Sequence, residues 1–400
     1  MRKGKGGKDM GANPIQEKER IVALDIVRGL AILGIFLVNM PSFFAPVIYT
    51  NPMEYWTEAK DIFVFNAVDI FAQASFYTLF SFLFGYGFII FTNRIAEKGL
   101  SVPKYFTRRL LVLLIIGVIH AFFVWHGDIL ITYAICGFAL LLARNMSAKA
   151  MVWTGTAIIA VQVTLISLLL LVSQKLMGDF DPYAGMEMLI KQSLEVYANG
   201  TFMEITKQRI YDWSYVNISG FIFILVSIIP MFFLGAAAAK AQWLTKVEEK
   251  LSIMKKLWIT TFLLAVIFKL LPYYTEKNFV TEYLQDGIGG PASAIFYFLT
   301  VVLATRTNVG IKVLSPLQYV GKMSLSNYLL QSIVFSIVFY GYGFGLYGQF
   351  TPFYGLLVVI GFFTLQVIIS KIWVARFYYG PAEWLWRAGT YRIWPKLKKM

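Results

Sequence analysis

The chain is poor in the residues that most often build soluble catalytic or metal centres. Its single cysteine, Cys136, excludes an intramolecular disulfide and a thiolate metal site. Its two histidines, His120 and His126, are too few for a histidine-rich zinc centre and do not form an H-E-x-x-H pattern. Charged residues make up only 14% of the chain, against about a quarter in soluble domains. A soluble surface for 400 residues cannot be assembled from so few charges. The same shortage excludes a disordered or coiled-coil chain. What fills the space is apolar: 58% of residues are hydrophobic, and runs of them are long enough to cross a bilayer.

Ten such runs lie near 24–44, 66–91, 107–125, 128–143, 150–173, 217–239, 257–273, 289–305, 323–342 and 353–373. The third and fourth form one apolar block, Leu110–Leu142, interrupted by Trp125-His126-Gly127-Asp128. One helix of that length would overshoot a hydrocarbon core of about 30 Å, so the block is split at the Gly-Asp turn. The fold class is an all-α polytopic transmembrane bundle of about ten spans. A polar basic tail occupies 1–23, the membrane domain 24–373 and a Trp-rich basic tail 374–400. Within the membrane domain, 174–216 reads as an extracytoplasmic loop. Two amphipathic helices, near Met188–Val196 and Phe202–Tyr211, lie along the outer membrane face or cap the bundle. The first span is too long, and lacks the small-residue site, for a cleaved signal peptide.

The net charge of +14 invites a nucleic-acid reading, but the charges are distributed by side. With the N-terminus inside, 29 of the 36 Lys and Arg fall on inner segments and 14 of the 22 carboxylates on outer ones. That asymmetry follows the positive-inside rule. It places both termini in the cytoplasm and leaves no clustered basic face for nucleic acid. The expected location is a bacterial cytoplasmic (inner) membrane.

Ionisable groups inside such spans mark candidate sites. Asp25 and Arg28 are spaced i, i+3 on the first span, followed by Gly29 and then Asn39. They read either as an anion-binding pair at the inner entrance or as a first-turn acid with a snorkelling Arg. His120 lies about two helical turns below Gly127, and Asp128 returns close by. An imidazole beside a carboxylate suits general-base chemistry, because the carboxylate fixes the tautomer. The alternatives are a neutral histidine bonded to a neighbouring helix, and Asp128 as a cap of the fourth span. His126, on the turn, reads as a solvated interfacial histidine. Lys269 reads as snorkelling to the interface, and Glu383 and Arg387 as an i, i+4 surface pair. The G-x-G-x-x-G match at Gly343–Gly348 follows no strand and is a loop turn.

The sequence resembles the YeiB-like family of bacterial inner-membrane proteins. The likeness runs through Asp25…Arg28-Gly29…Asn39, Phe80-Ser-Phe-Leu-Phe-Gly85-Tyr-Gly87, and His120…Gly127-Asp128-Ile-Leu…Tyr133-Ala…Gly137. It continues in Tyr197…Gly200 with Arg209, Gly321-Lys-Met-Ser-Leu-Ser-Asn327-Tyr328…Gln331-Ser, and Gly380-Pro-Ala-Glu383-Trp384-Leu-Trp386-Arg387. The opening Asp-x-x-Arg-Gly helix also resembles that of transmembrane acyltransferases such as heparan-alpha-glucosaminide N-acetyltransferase. Those relatives place an active histidine after the first span, whereas residues 40–69 here contain none.

The acyltransferase resemblance implies acyl-CoA as co-substrate and an envelope glycan or lipid as acceptor, with no metal or redox cofactor. In that reading His120 is the base, oriented by Asp128 or Asp69. Arg28, Arg108, Arg109 and Lys322 hold CoA phosphates, Asn39 and Asn327 stabilise an oxyanion, and Arg209 meets an anionic acceptor. The alternatives are a proton-coupled small-solute transporter, with Gly85, Gly87, Pro230 and Pro272 loosening its helices, and a lipid-binding scaffold without turnover. Large apolar faces would admit a homodimer.

Overall fold

A computed structural model describes residues 21–177, 181 and 183–399. The basic tail expected at 1–23 lies outside the described residues except for its last three. In chain order the helices begin with α1 (Val22–Phe44), α2 (Pro52–Tyr55), α3 (Ala59–Phe71), α4 (Ser75–Glu97), α5 (Val102–Phe123) and α6 (Leu130–Leu142). Next come α7 (Ala148–Met177), α8 (Glu187–Asn199), α9 (Phe202–Ser219), α10 (Phe221–Lys240) and α11 (Val247–Tyr274). The last are α12 (Phe279–Leu284), α13 (Gly290–Ala304), α14 (Asn308–Leu314), α15 (Leu317–Lys322), α16 (Ser324–Phe339), α17 (Pro352–Arg376) and α18 (Pro381–Tyr391). Proline in the first turn of α5, α17 and α18 sets their starts, where the missing N–H is not needed.

The protein is an all-α polytopic membrane protein. Among the described residues, eight helical stretches are long and apolar enough to cross a membrane, and α6 and α16 are shorter apolar helices. Each of the ten apolar runs seen in the sequence falls on one of these. The side where α1 begins is called the near side and the side where it ends the far side.

Two pairs of glycines set how closely the helices approach. A Cβ on Gly85 would run into the carbonyl of Phe232 on α10, and one on Gly235 into the carbonyl of Phe82 on α4. The α4–α10 crossing is therefore backbone against backbone. Gly29 and Gly321 do the same between α1 and α15. Gly85, expected to loosen its helix in a transporter, is instead a tight packing point.

The second apolar run is not one straight helix. It breaks at residues 72–74 between α3 and α4, where Ala74 adopts a left-handed φ of 55°. A break strands carbonyls that water cannot reach. Lys269 of α11 donates to the Gln73 oxygen at 2.7 Å and the Asp69 oxygen at 3.4 Å, and the Tyr297 hydroxyl takes the Phe71 oxygen at 2.8 Å. Lys269 is 2% exposed. The snorkelling expected of it is thus wrong: unmet carbonyls at a helix C-terminus attract the ammonium inward.

The loop expected at 174–216 folds as α8 and α9. Thr201 and Glu204 form a capping box at the start of α9. Their hydrogen bonds, from the Thr201 backbone first, hold the Glu204 carboxyl below its ordinary range. The faces of α9 are inverted relative to a water-covered helix. Gln208, Arg209 and Asp212 are buried, while Ile210, Tyr211, Val216 and Ile218 point outward.

On the near side, α18 locks onto the bundle. Glu383 accepts from the backbone N–H groups of Leu325 and Ser326 and from the Ser326 hydroxyl, covering the N-terminus of α16. It does not form the expected surface pair with Arg387, which lies over the Tyr379 and Tyr391 rings.

Candidate functional site

The far-side turn between α5 and α6 carries the chemistry. His120, in the last turn of α5, is 1% exposed. Its Nδ1 stands 2.7 Å from Asp128 Oδ2. The other carboxylate oxygen of Asp128 accepts from the Ile131 N–H at 2.8 Å, in the first turn of α6. The cap and the dyad partner, alternatives in the sequence, are one residue doing both. The Tyr328 ring of α16 packs 5.1 Å from the imidazole, and its hydroxyl donates to the Gly127 oxygen. His120 Nε2 is buried with no hydrogen-bond partner among the described residues. In a neutral imidazole so placed, the carboxylate favours the tautomer with its proton on Nδ1 and its lone pair on Nε2.

A second network lies beside it, centred on Asp212 of α9. Asp212 accepts from the hydroxyls of Tyr49 at 2.6 Å and Tyr197 at 2.7 Å, and from Gln208 at 2.7 Å. His126 reaches the Tyr197 hydroxyl at 3.3 Å and lies 4.0 Å from Asp212. It is buried under α8 rather than solvated, because Trp125 and Tyr197 pack against its ring. Burial pushes its pKa below the ordinary value of 6.5, Asp212 pulls it up, and Arg209 adds a smaller push down. Arg209 is 0% exposed. Its Nη2 donates to the Tyr342 hydroxyl at 2.6 Å, and its Nε and Nη1 are buried without partners among the described residues. Trp125, between the two histidines, stacks on Phe43 of α1 and leaves its own Nε1 without a partner among the same residues.

The other sequence candidates are dispersed. Asp25 and Arg28 pair at 3.2 Å near the start of α1. The Arg109 guanidinium sits 3.5 Å from the Trp386 ring, which donates in turn to the Arg109 carbonyl. With Phe91 also on it, Arg109 tethers α18 rather than facing a ligand. Arg108 lies over Tyr105 and Lys322 over Tyr319, both on the near side. The Asn327 amide is engaged by the Val320 oxygen and Ser370, and its carbonyl side by Gln366. These bonds join α16 to α17 and leave its amide hydrogens occupied. Asn39 and Asp69 are not at the dyad either. Both line a far-side cleft, where Asp69 accepts from Tyr273 and Gln285.

Asp212, Tyr49 and Gln208 were missed from the sequence. The available signal was the acid and amide on one face of α9, which the amphipathic reading assigned to water.

Residues 238–393 match the family model described as "Protein of unknown function (DUF418)". The protein YxaH of Bacillus subtilis (strain 168) is 37% identical, over 96% of this chain and 98% of its own length. The chain belongs to the YeiB-like DUF418 family. YeiB of Escherichia coli (strain K12) is 28% identical over 94% of this chain and 97% of its own. A 39.9 kDa protein encoded in an amylase 3′ region of Bacillus acidopullulyticus is 29% identical over 97% and 99%. The family-model match takes in α16 and α18 but not the turn between α5 and α6, while the match to YxaH covers 96% of the chain.

Proposed function

We propose that this bacterial multi-pass membrane protein transfers an acyl group from cytoplasmic acyl-CoA to a hydroxyl or amine of an envelope glycan or lipid. One observation carries the reading: a buried imidazole oriented by a carboxylate, with Nε2 unpartnered among the described residues. That is the state a general base needs before substrate arrives. Charge asymmetry supports a cytoplasmic near side in the inner membrane, and so a dyad reached from the opposite face. Nε2 would take the acceptor proton as the acceptor atom bonds to the thioester carbonyl carbon. The carbon–sulfur bond then breaks, and the imidazolium returns the proton to the leaving thiolate. Asp128 stabilises the imidazolium. The unpartnered nitrogens of Arg209 suit an anionic group on the acceptor. Arg28 and Arg108 support phosphate binding at the near side, and Arg109 is withdrawn from that role.

The test is CoA release from acetyl-CoA and longer acyl-CoAs by protein in nanodiscs, with envelope extract as acceptor. His120→Gln is expected to lower release by ~10²–10⁴, the usual range for a lost general base. Unchanged release in His120→Gln and His120→Ala would reject the mechanism.

A second reading, proton-coupled transport of a small solute, is favoured by the far-side cleft. Buried Lys269 stands 3.4 Å from Asp286 in its wall, on a π-helical stretch at residues 285–289. Such irregular turns often mark functional sites. Solute flux that collapses with the proton gradient, without any need for CoA, would select it.

A further inference from the structure

The far-side cleft is a feature the dyad does not use. It measures about 1180 Å³ and lies on the far side between α1, α3, α7, α12 and α17. Phe43 stacks on Trp125 at the dyad side of α1, whereas Phe44, the next residue, lines the cleft. His120 and Asp128 do not line it.

Its lining combines two chemistries. Apolar side chains come from Leu37, Met40, Val64, Val68, Leu356 and Val359. Five carboxylates, Glu54, Asp69, Asp181, Glu282 and Asp286, share the lining with the single cation Lys277, among the described residues. Lys277 is already paired with Glu282 at 3.3 Å. Lys269, just behind, is taken up by the Gln73 carbonyl and Asp286. Asp69 is held by two neutral donors, the Tyr273 hydroxyl and the Gln285 amide, which position it without cancelling its charge. A cavity this size exceeds what packing leaves by default and lies just above the ~300–1,000 Å³ usual for small-molecule sites.

We propose that this cleft binds an amphiphile with an ammonium head and an alkyl chain. Charge complementarity selects the head, since the carboxylates outnumber the cations and the cations are spent. The apolar lining residues take the chain. An anionic head would meet the carboxylates with no lysine left to receive it. The inference does not rest on acyl transfer, because no dyad residue enters the argument.

The test uses the full chain in nanodiscs of zwitterionic lipid, with a diazirine-bearing alkylamine as photoprobe. Unlabelled alkylamine, alkyl glucoside and alkyl sulfate of equal chain length compete below their micellar concentrations. Saturable crosslinks are expected on peptides covering 37–44 and 352–359. Alkylamine should compete at least about tenfold better than alkyl sulfate, the ratio that ~1.4 kcal/mol confers. Asp69→Asn should weaken the amine selectively. Because Asp69 also holds Tyr273 and Gln285, a second variant, Leu356→Trp, fills the cleft from its α17 side and leaves that cluster intact; it should abolish saturable labelling. Equal competition by the sulfate, or labelling unchanged in Leu356→Trp, would overturn the proposal. His120→Gln should leave labelling intact while removing CoA release, so the two proposals fail separately.

Discussion

Asp128 holds His120 Nδ1 at 2.7 Å with one carboxylate oxygen while its other oxygen receives the Ile131 N–H at 2.8 Å. The residue that caps the first turn of α6 is therefore also the residue that orients His120. Removing it confounds folding with chemistry, so the informative substitution keeps the shape. Asp128→Asn retains an acceptor for Ile131 but loses the charge that stabilises an imidazolium. Thermal unfolding should change little, whereas CoA release should fall by ~10² or more. Equal loss of both would make Asp128 a cap alone.

His126 gives a pH signature. Its folded pKa lies below the unfolded value of 6.5, with burial as the main cause. The unfolded chain therefore binds the proton more readily, and stability falls as pH drops through and below about 6.5. The melting temperature should decline on acidification from pH 7.5 to about 5.5, following the histidine range. His126→Gln, which cannot titrate, should flatten that slope. A slope unchanged in the variant would assign the effect to other groups.

The sequence made some of this legible and hid the rest for identifiable reasons. Apolar length alone located the helices, because no water-exposed alternative exists for runs such as Leu110–Leu142. His120 and Asp128 could be paired because the Gly127 turn brings them back within a few residues. Asp212 could not. On paper α9 is a surface helix, and the direction of its polar face depends on whether lipid or water lies outside. In the fold Ile210 and Ile218 face out and Asp212 faces in. Lys269 was misread for a related reason. The break at Phe71-Ala72-Gln73-Ala74 contains neither Gly nor Pro, so nothing announced the carbonyls that draw the lysine inward.

Lys269 should accordingly be a stability residue before it is anything else. Lys269→Met removes the donor to Gln73 and Asp69 and leaves buried carbonyls unmet. Each such group costs about 1–3 kcal/mol when stranded. The variant should unfold at markedly lower temperature, and Lys269→Arg should recover part of the loss because it can still donate to both. Wild-type stability in Lys269→Met would mean that water reaches the break.

The near-side latch predicts a graded series at Glu383. Its Oε1 receives two backbone N–H groups at the start of α16, from Leu325 at 2.7 Å and Ser326 at 3.2 Å. Glu383→Gln keeps a carbonyl oxygen in that place but loses the charge and the second oxygen that accepts from the Ser326 hydroxyl. Glu383→Ala strands both donors in a buried setting, at about 1–3 kcal/mol for each. Melting temperatures should therefore rank wild type, then Gln, then Ala. Hydrogen exchange locates the effect: in the Ala variant protection should drop at the first turn of α16 and along α18, whose docking also uses Trp386 on Arg109. It should stay unchanged at the far-side turn that carries His120. A loss of protection there as well would mean that the latch and the dyad unfold as one unit, coupling the near-side tail to the candidate site.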